Sequence, residues 1–304
     1  MYSHLNRDQR IALGALLYAG HSQASAAHEL GVDPGTISRE LKRNPKDNGA
    51  YHSLHANLLS VQRRKKSKQK YRKIENDPML EKEIESQLCP LRSPEVIAHK
   101  LGIVHETIYA WIARSRPELK IQLPYRGRKR HRYGGKREQK QGWTKNVRSI
   151  DERKESPISW EGDTVKGQTK SQILTHVEQH SLFLVADLMK DGTADSVHAT
   201  LKQHRRIEGN ITYDRGSEFA LWEMIEKDTP VRIYFAHAHH PWERGKNENT
   251  NGRLRRVFPK RFDFSTITQG RLDEVVNFMN QTPRKSLSWQ TPAEVFKQLH
   301  CTSD

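Results

Sequence analysis

Three carboxylates carry the chemistry this sequence offers. Glu248 lies in residues 240–256, HPWERGKNENTNGRLRR, where Arg244, Lys246, Arg253, Arg255 and Arg256 surround it. Asp214 stands 34 positions earlier, at the end of the short apolar run Ile211-Thr212-Tyr213. Asp163 ends a second such run, in WEGDTV. Two acids at strand ends and a third on a helix are able to converge on a pair of divalent ions. Their hard oxygens suit Mg2+ or Mn2+, two ions per site. One ion would activate an attacking hydroxyl and the other would stabilise the leaving oxygen of a phosphoryl group. A single Glu among cations is ordinarily a surface ion-pair partner, so the weight of this reading rests on the two upstream acids. Packed together, three acids repel one another, a cost poorly offset without a cation.

Other residues compete for these roles. Glu161 lies two before Asp163 on the same strand face, and is an alternative first ligand. Glu218 and Glu243 lie near the other two acids in sequence, and Asp187 ends a further strand. The run His237 to His240, HAHH, resembles a zinc cluster. With no partner Cys and no HExxH pattern, the sequence alone does not support zinc there. A histidine in that run is still placed to approach a scissile phosphate. No P-loop, GxGxxG or GxSxG occurs.

The elements that must position these acids begin near residue 158, where apolar periodicity changes from helical to alternating. Strands are expected over 158–165, 173–177 and 182–188, a three-stranded meander. A helix follows, capped by Thr193 or Asp195, with Val197 and Leu201 on its apolar side. A fourth strand, 211–213, delivers Asp214. Arg215-Gly216-Ser217 then turns into a helix over 218–226 with Phe219, Trp222 and Ile225 inward. A fifth strand covers 231–235. Pro241 disfavours helix at His240, so the helix carrying Glu248 starts after it. Helices are expected over 275–280 and from a capping Thr291, with an extended segment between Pro283 and Pro292. This order describes a mixed sheet with helices packed on it.

The front of the chain reads differently. Residues 5–43 predict three helices, with Leu13, Leu16 and Leu17 at helical spacing, Gly20 ending the first and Ser22 capping the second. Ala27, Gly31 and Ile37 have the spacing of a helix-turn-helix: a small residue at the crossing, a turn glycine, and an apolar anchor. Thr36, Ser38, Arg39 and Arg43 would then face DNA. The pattern recurs. Ala98, Leu101, Gly102, Ile103, Thr107 and Ile108 each follow Ala27, Leu30, Gly31, Val32, Thr36 and Ile37 by 71 positions. Ser93-Pro94-Glu95 would cap this second unit, and 105–112 would be its recognition helix, with Thr107 and Tyr109 among the contacts.

Composition agrees with a polyanionic partner. Among 304 residues, Lys plus Arg number 52 and Asp plus Glu 36, a net charge of +16. The surplus is clustered. Residues 63–73, RRKKSKQKYRK, hold eight Lys or Arg and no acid, and 126–137, RGRKRHRYGGKR, hold seven and no acid. Gly134-Gly135 marks the second run as a flexible linker. Such runs bind phosphates without sequence preference. Cys89 and Cys301 have no CxxC spacing and predict neither a zinc finger nor a disulfide framework. No apolar run spans a membrane and no signal-peptide pattern opens the chain. These features point to the cytoplasm, at the nucleoid. The expected domains are a helix-turn-helix unit over 1–62, a basic linker over 63–77, a second helix-turn-helix unit over 78–122, a basic linker over 123–150 and a catalytic domain over 151–304.

In order, WEGD, YDRGSEF and PWERGKNENTNGRLRR resemble segments of the bacterial transposases of the insertion sequence 30 family. So do NVRSIDER, NQTPRKSLSWQTPAEVF, SQASAAHELGVDPGTISRELKRN and RSPEVIAHKLGIVHETIYAWI. The resemblance covers nearly the whole chain. It implies a ribonuclease-H-like catalytic domain with a DDE triad, carried onto Asp163, Asp214 and Glu248 as metal ligands. It also implies N-terminal units that bind terminal inverted repeats. The implied reaction is metal-dependent nicking of double-stranded DNA at element ends and joining to target DNA, with at least a dimer on the DNA. Arg253 and Arg256 are candidate phosphate ligands. A silent DNA-binding regulator would need only the front units, and a serine or tyrosine recombinase would need a covalent nucleophile. Four departures from the family pattern stand out: Ser159 where His is expected, HAHH before Pro241, Glu243 where Gln is common, and Thr282 where Arg is common. None touches the triad, and Glu243 adds negative charge beside it.

Overall fold

A computed structural model gives the fold over residues 4–44, 51–126, 147–203, 207–237 and 240–301. Contacts divide the chain into two units, Met1–Met79 and Leu80–Asp304. In the first, polar caps set the helix starts. Asn6 opens α1 (Arg7–Tyr18) with a capping box to Gln9. The Ser22 hydroxyl accepts the Ser25 N–H at the start of α2 (Gln23–Glu29), as expected. Asp33 and Pro34 open α3 (Pro34–Arg43). Gly31 takes φ +61° between α2 and α3, a conformation open to glycine at no steric cost. Leu13, Ala26, Ala27 and Ile37 form the core. An ion pair unseen in the sequence is buried there: Arg10 Nε donates to Glu40 Oε1 at 2.6 Å. Asn44 Nδ2 (2.9 Å) and the Tyr51 hydroxyl (3.2 Å) donate to the same oxygen.

The expected linker over 63–77 is not one throughout. Helix α4 (Ser53–Gln69) carries its basic run as far as Gln69, because Lys, Arg and Gln are good helix formers. The run at 126–137 lies outside the described residues, apart from Arg126.

In the second unit, α5 (Pro78–Gln87), α6 (Pro94–Leu101) and α7 (His105–Ser115) form the second helical motif. Gly102 takes φ +63° at its turn. Ser93 occupies the cap position of α6, but its hydroxyl makes no capping bond. This motif is not the separate domain the sequence suggested. It packs on the sheet domain: the rings of His99 and Trp289 stack at 4.0 Å. The sheet domain also starts earlier than 151, since Phe235 N–H donates to Arg148 O at 2.9 Å and the Arg148 guanidinium pairs with Glu226.

The sheet comprises β1 (Ser159–Lys166), β2 (Gln172–Glu178), β3 (Leu184–Met189), β4 (Gly209–Tyr213) and β5 (Val231–Phe235), in the order β3-β2-β1-β4-β5. The first three strands are an antiparallel meander, and β4 and β5 run parallel to β1. With helices on both faces, this is the ribonuclease-H-like arrangement. On one face, α8 (Ala194–Gln203) and α9 (Trp222–Asp228) bury Val197, Leu201 and Ile225 against Trp160, Leu174, Ile211 and Ile233. On the other, α10 (Gly245–Leu254) and α11 (Gln269–Asn280) bury Leu254, Leu272, Val275 and Met279 against Val165, Ile173 and Val177. Helix α12 (Pro292–Cys301) starts with the expected cap at Thr291, a capping box closed by Glu294.

Three local expectations change. The helix expected over 218–226 breaks into a 3-10 turn, Ser217–Phe219, and α9. Helix α11 starts at Gln269, earlier than expected, where the Thr268 hydroxyl accepts the Arg271 N–H. The segment between Pro283 and Pro292 is a folded turn rather than extended. Arg284 exchanges backbone bonds with Trp289 and Gln290, and Ser288 and Trp289 take positive φ. No described helix is long and apolar enough to cross a membrane.

Candidate active site

Strand β1 places Glu161, Asp163 and Val165 on the face covered by α10 and α11. Asp163 is half-buried. Its Oδ1 accepts the Thr164 N–H at 2.9 Å, and its Oδ2 accepts Asn251 Nδ2 at 3.1 Å. Asp214 follows the last residue of β4, parallel to β1 and beside it. Its Oδ1 accepts the Gly216 N–H at 3.0 Å, so the DRG turn fixes its carboxylate. Arg244 joins the two acids. Its Nη2 donates to Asp214 Oδ2 at 3.1 Å, its Nη1 lies 3.6 Å from Asp163 Oδ1, and Nη1 also donates to Gly162 O. Burial pushes the Asp163 carboxyl above its ordinary value; Arg244 opposes the rise and Asp214 adds to it.

Glu248 lies in the first turn of α10 and is exposed. Asn251, its i+3 neighbour, bonds Asp163, so the helix period sets Glu248 along the flank of α10 nearest the aspartates. Among the described residues Glu248 makes no hydrogen bond or ion pair, and the three acids do not gather their oxygens within 4.8 Å of one another. The sequence-expected residues therefore divide: Asp163 and Asp214 meet across Arg244, and Glu248 stands on the docked helix without touching either. All three offer only hard oxygens, and the aspartate pair already shares one cation, the guanidinium. That donor set fits divalent ions of the Mg2+ class.

Two residues that sequence reasoning missed hold α10 in place. Asn247 is fully buried. Its backbone N–H donates to Glu161 Oε2 at 2.8 Å and its Nδ2 to Glu161 O at 2.6 Å. Glu161, weighed as an alternative ligand, is thereby committed to the N-terminal turn of α10 and is only 3% exposed. Burial raises its pKa, and the Asn247 N–H opposes the rise. The spacing of Asn247 and Asn251, four apart, was the available signal: it puts two amides on one helix face. Glu218 accepts the Thr164 hydroxyl at 2.8 Å beside the DRG turn. Asp187 pairs in register with Leu174, whose side chain packs on the opposite sheet face, away from Asp163.

Past β5, His237 Nδ1 lies 2.9 Å from Glu243 Oε1, and His237 Nε2 lies 2.9 Å from Asp151 Oδ2. The Glu243 hydrogen bond leads the causes that raise the His237 pKa. His239 lies outside the described residues.

The proposed DNA contacts also divide. Ser38, Arg39 and Arg43 are exposed on α3. Thr36 is buried, at 8% exposure, next to the fully buried Ile37, so it is not among the residues that α3 exposes. Thr107 is half-buried and Tyr109 exposed. Tyr109 lines a cleft shared with Arg253, Arg256 and Trp289. The two arginines grip the loop before α6: Arg253 Nη2 donates to Leu91 O at 3.4 Å and Arg256 Nη1 to Pro90 O at 3.3 Å.

Known proteins resemble the chain along its whole length. A helix-turn-helix domain model matches residues 1–44. The transposase for insertion sequence element IS4351 of Bacteroides fragilis is 34% identical, over 98% of this chain and 97% of that one. The transposase for element IS1086 of Cupriavidus metallidurans is 32% identical, over 98% and 95%. Transposase InsI for element IS30A of Escherichia coli is 31% identical, over 97% and 84%. Among solved structures, the catalytic core domain of BIV integrase is 19% identical with a TM-score of 0.38, covering 48% of this chain and 98% of that one. On the strength of the full-length relatives, the chain belongs to the insertion sequence 30 family of transposases.

Proposed function

We propose that this chain is a DNA transposase that binds the terminal inverted repeats of its element, nicks DNA there and joins the freed end to target DNA. The observation that carries the reading is the pair Asp163 and Asp214, the first inside β1 and the second just past the end of β4, brought together across Arg244 and flanked by the helix bearing Glu248. Asp163 and Asp214 would hold a shared Mg2+ or Mn2+, and Glu248 would complete the site for a second. When bound, such ions activate the attacking oxygen and stabilise the leaving one.

The chain's own groups set the geometry. The Thr164 N–H and Asn251 orient Asp163, the Gly216 N–H orients Asp214, and Asn247 ties the first turn of α10 to β1. In the first step a water oxygen bonds to phosphorus as the P–O3′ bond breaks, leaving a 3′-hydroxyl and a 5′-phosphate. In the second, that 3′-oxygen bonds to a target phosphorus and displaces the target's own 3′-oxygen, which leaves with a proton. Both are in-line displacements and require no covalent protein intermediate. Arg244, freed from the aspartates by a bound cation, would be available to a DNA phosphate.

Ser38, Arg39 and Arg43 on α3 would contact the repeats, with Thr107 and Tyr109 serving from the second motif. Arg253 and Arg256 would reach phosphates only through the donors left over from their bonds to residues 90 and 91. Two ends must be held for joining, so the active species on DNA is at least a dimer.

The test is cleavage of DNA carrying the element's ends, with Mg2+, by wild type and Glu248→Gln. The variant should bind the ends normally. It should lose at least the roughly 100-fold in cleavage that removing even an outer partner of a metal ligand costs. Full activity in the variant rejects Glu248 as a ligand. Repeat binding without any cleavage by wild type favours a silent regulator.

A further inference from the structure

Among the described residues, one group of three metal-type donors has its ligand atoms within 4.8 Å of one another: His237, His240 and Glu243. It belongs to the entry of α10. His237 stands two residues past the end of β5, and His240 and Glu243 bracket the start of the 3-10 turn Pro241–Arg244. We propose that these three residues form a transition-metal site of the Zn2+ class, separate from the all-oxygen site of the aspartates.

Donor chemistry is the first argument. Two imidazoles and one carboxylate make the three-ligand set of open zinc sites, with a fourth position left for water. Imidazole nitrogen favours Zn2+, Cu2+, Ni2+ or Fe2+ over Mg2+, so the two sites would select different ions from one solution.

The arrangement around the donors is the second argument. A histidine that ligates through one ring nitrogen usually donates its other N–H to a carboxylate or carbonyl, which fixes the ring. His237 is held in that way. Its Nδ1 faces Glu243 Oε1 at 2.9 Å, and its Nε2 faces Asp151 Oδ2 at 2.9 Å, with the Ser149 hydroxyl at 3.4 Å. The Glu243 carboxylate is also held on its far side, where Oε2 accepts the His237 backbone N–H at 2.8 Å. The His240 ring meets those of His237 and Trp242 edge-on, at 5.4 Å and 4.6 Å between centroids. An ion bound by His237 Nδ1 and Glu243 Oε1 would replace the hydrogen between them and keep both outer supports.

The fold brings His237 and His240 of the HAHH run together with Glu243. An ion there would staple the end of β5 to the turn that carries Arg244, and so stiffen the approach to Glu248.

The test uses the full chain, stripped with chelator and titrated with Zn2+ in excess Mg2+, with bound metal counted by elemental analysis. Wild type should retain one equivalent of Zn2+. Co2+ in its place should give the visible absorption of a tetrahedral site. His237→Gln and Glu243→Gln should lose that equivalent. Asp151→Asn, a change at an exposed outer support, should raise the Zn2+ Kd by about 10- to 100-fold. The double variant Asp163→Asn with Asp214→Asn should keep the equivalent. Absence of Zn2+ from folded wild type overturns the proposal. So does an equivalent that survives both ligand variants, or one that disappears with the aspartates. None of these outcomes depends on DNA cleavage, so the transposase reading stands or falls separately.

Discussion

Gly162 shows how one missing side chain shapes the site. A Cβ at this position would run into the ring of Tyr213. That ring has nowhere to go: it stacks on Phe219 at 3.9 Å, and its hydroxyl lies 2.7 Å from His176 Nε2. The glycine thus lets β1 and the end of β4 approach closely, with Asp163 and Asp214 just beyond. Gly162→Ala should cost about 1–3 kcal/mol, the usual range for forcing extra volume into a packed interior. It should also depress cleavage, since the displaced residue adjoins Asp163. Urea unfolding and strand cleavage measured together check this. A variant with wild-type stability would mean that Tyr213 is freer than its contacts suggest. That Asp163 and Asp214 stand on strands or at their ends was legible in the sequence, because each closes a short apolar run, and the fold sets those strands side by side. Asn247 was not, because an amide's role depends on which strand lies beneath it, and that is known only once Glu161 is seen under α10.

At the scale of elements, the strands were legible to within a few residues, since alternation of apolar side chains survives in a single sequence. Helix ends were less so where capping depends on hydroxyls. The start of α8 is an instructive case. Thr193 or Asp195 was expected to cap it, and the Ser196 N–H does donate to the Thr193 hydroxyl, at 3.3 Å. Asp191 completes the cap from outside the helix, accepting from the Thr193 N–H, the Thr193 hydroxyl and the Ser196 hydroxyl. The Ser196 and Thr193 bonds pull its pKa from 3.8 down to about 2. A carboxyl depressed in the folded state contributes stability above its unfolded pKa, and loses it as pH falls through the folded value. Asp191→Ala should therefore melt below wild type at neutral pH. The gap should close as pH drops from about 3.8 towards 2, and thermal melts across that window would show it. A gap independent of pH would assign the effect to packing instead. The turn over 284–290 was illegible for a different reason. Two prolines suggest extension locally, but positive φ at Ser288 and Trp289 is sustained by bonds and by the stacking of Trp289 on His99, which no local pattern encodes.

Over the whole molecule, the net charge of +16 makes salt the most direct probe of how the chain meets DNA. Each phosphate neutralised releases counterions, and the slope of log affinity against log salt falls by about 0.9 per contact on duplex DNA. On the first unit, Arg39 and Arg43 are exposed on α3, one turn apart, and flank the exposed Lys42. If both reach phosphates, the double variant Arg39→Gln with Arg43→Gln should lessen the slope by about 1.8, with affinity lost almost equally for repeat and unrelated DNA. Ser38→Ala should behave oppositely, leaving the slope alone while eroding preference for the repeat, since a hydroxyl carries no charge and acts on a base edge. The measurement is a salt titration of DNA binding by the full chain, on both a repeat and a scrambled duplex. A slope unchanged by the double arginine variant would assign these side chains to protein partners, such as Asp33, which lies 3.9 Å from Arg39, and would move the electrostatic footprint elsewhere on the chain.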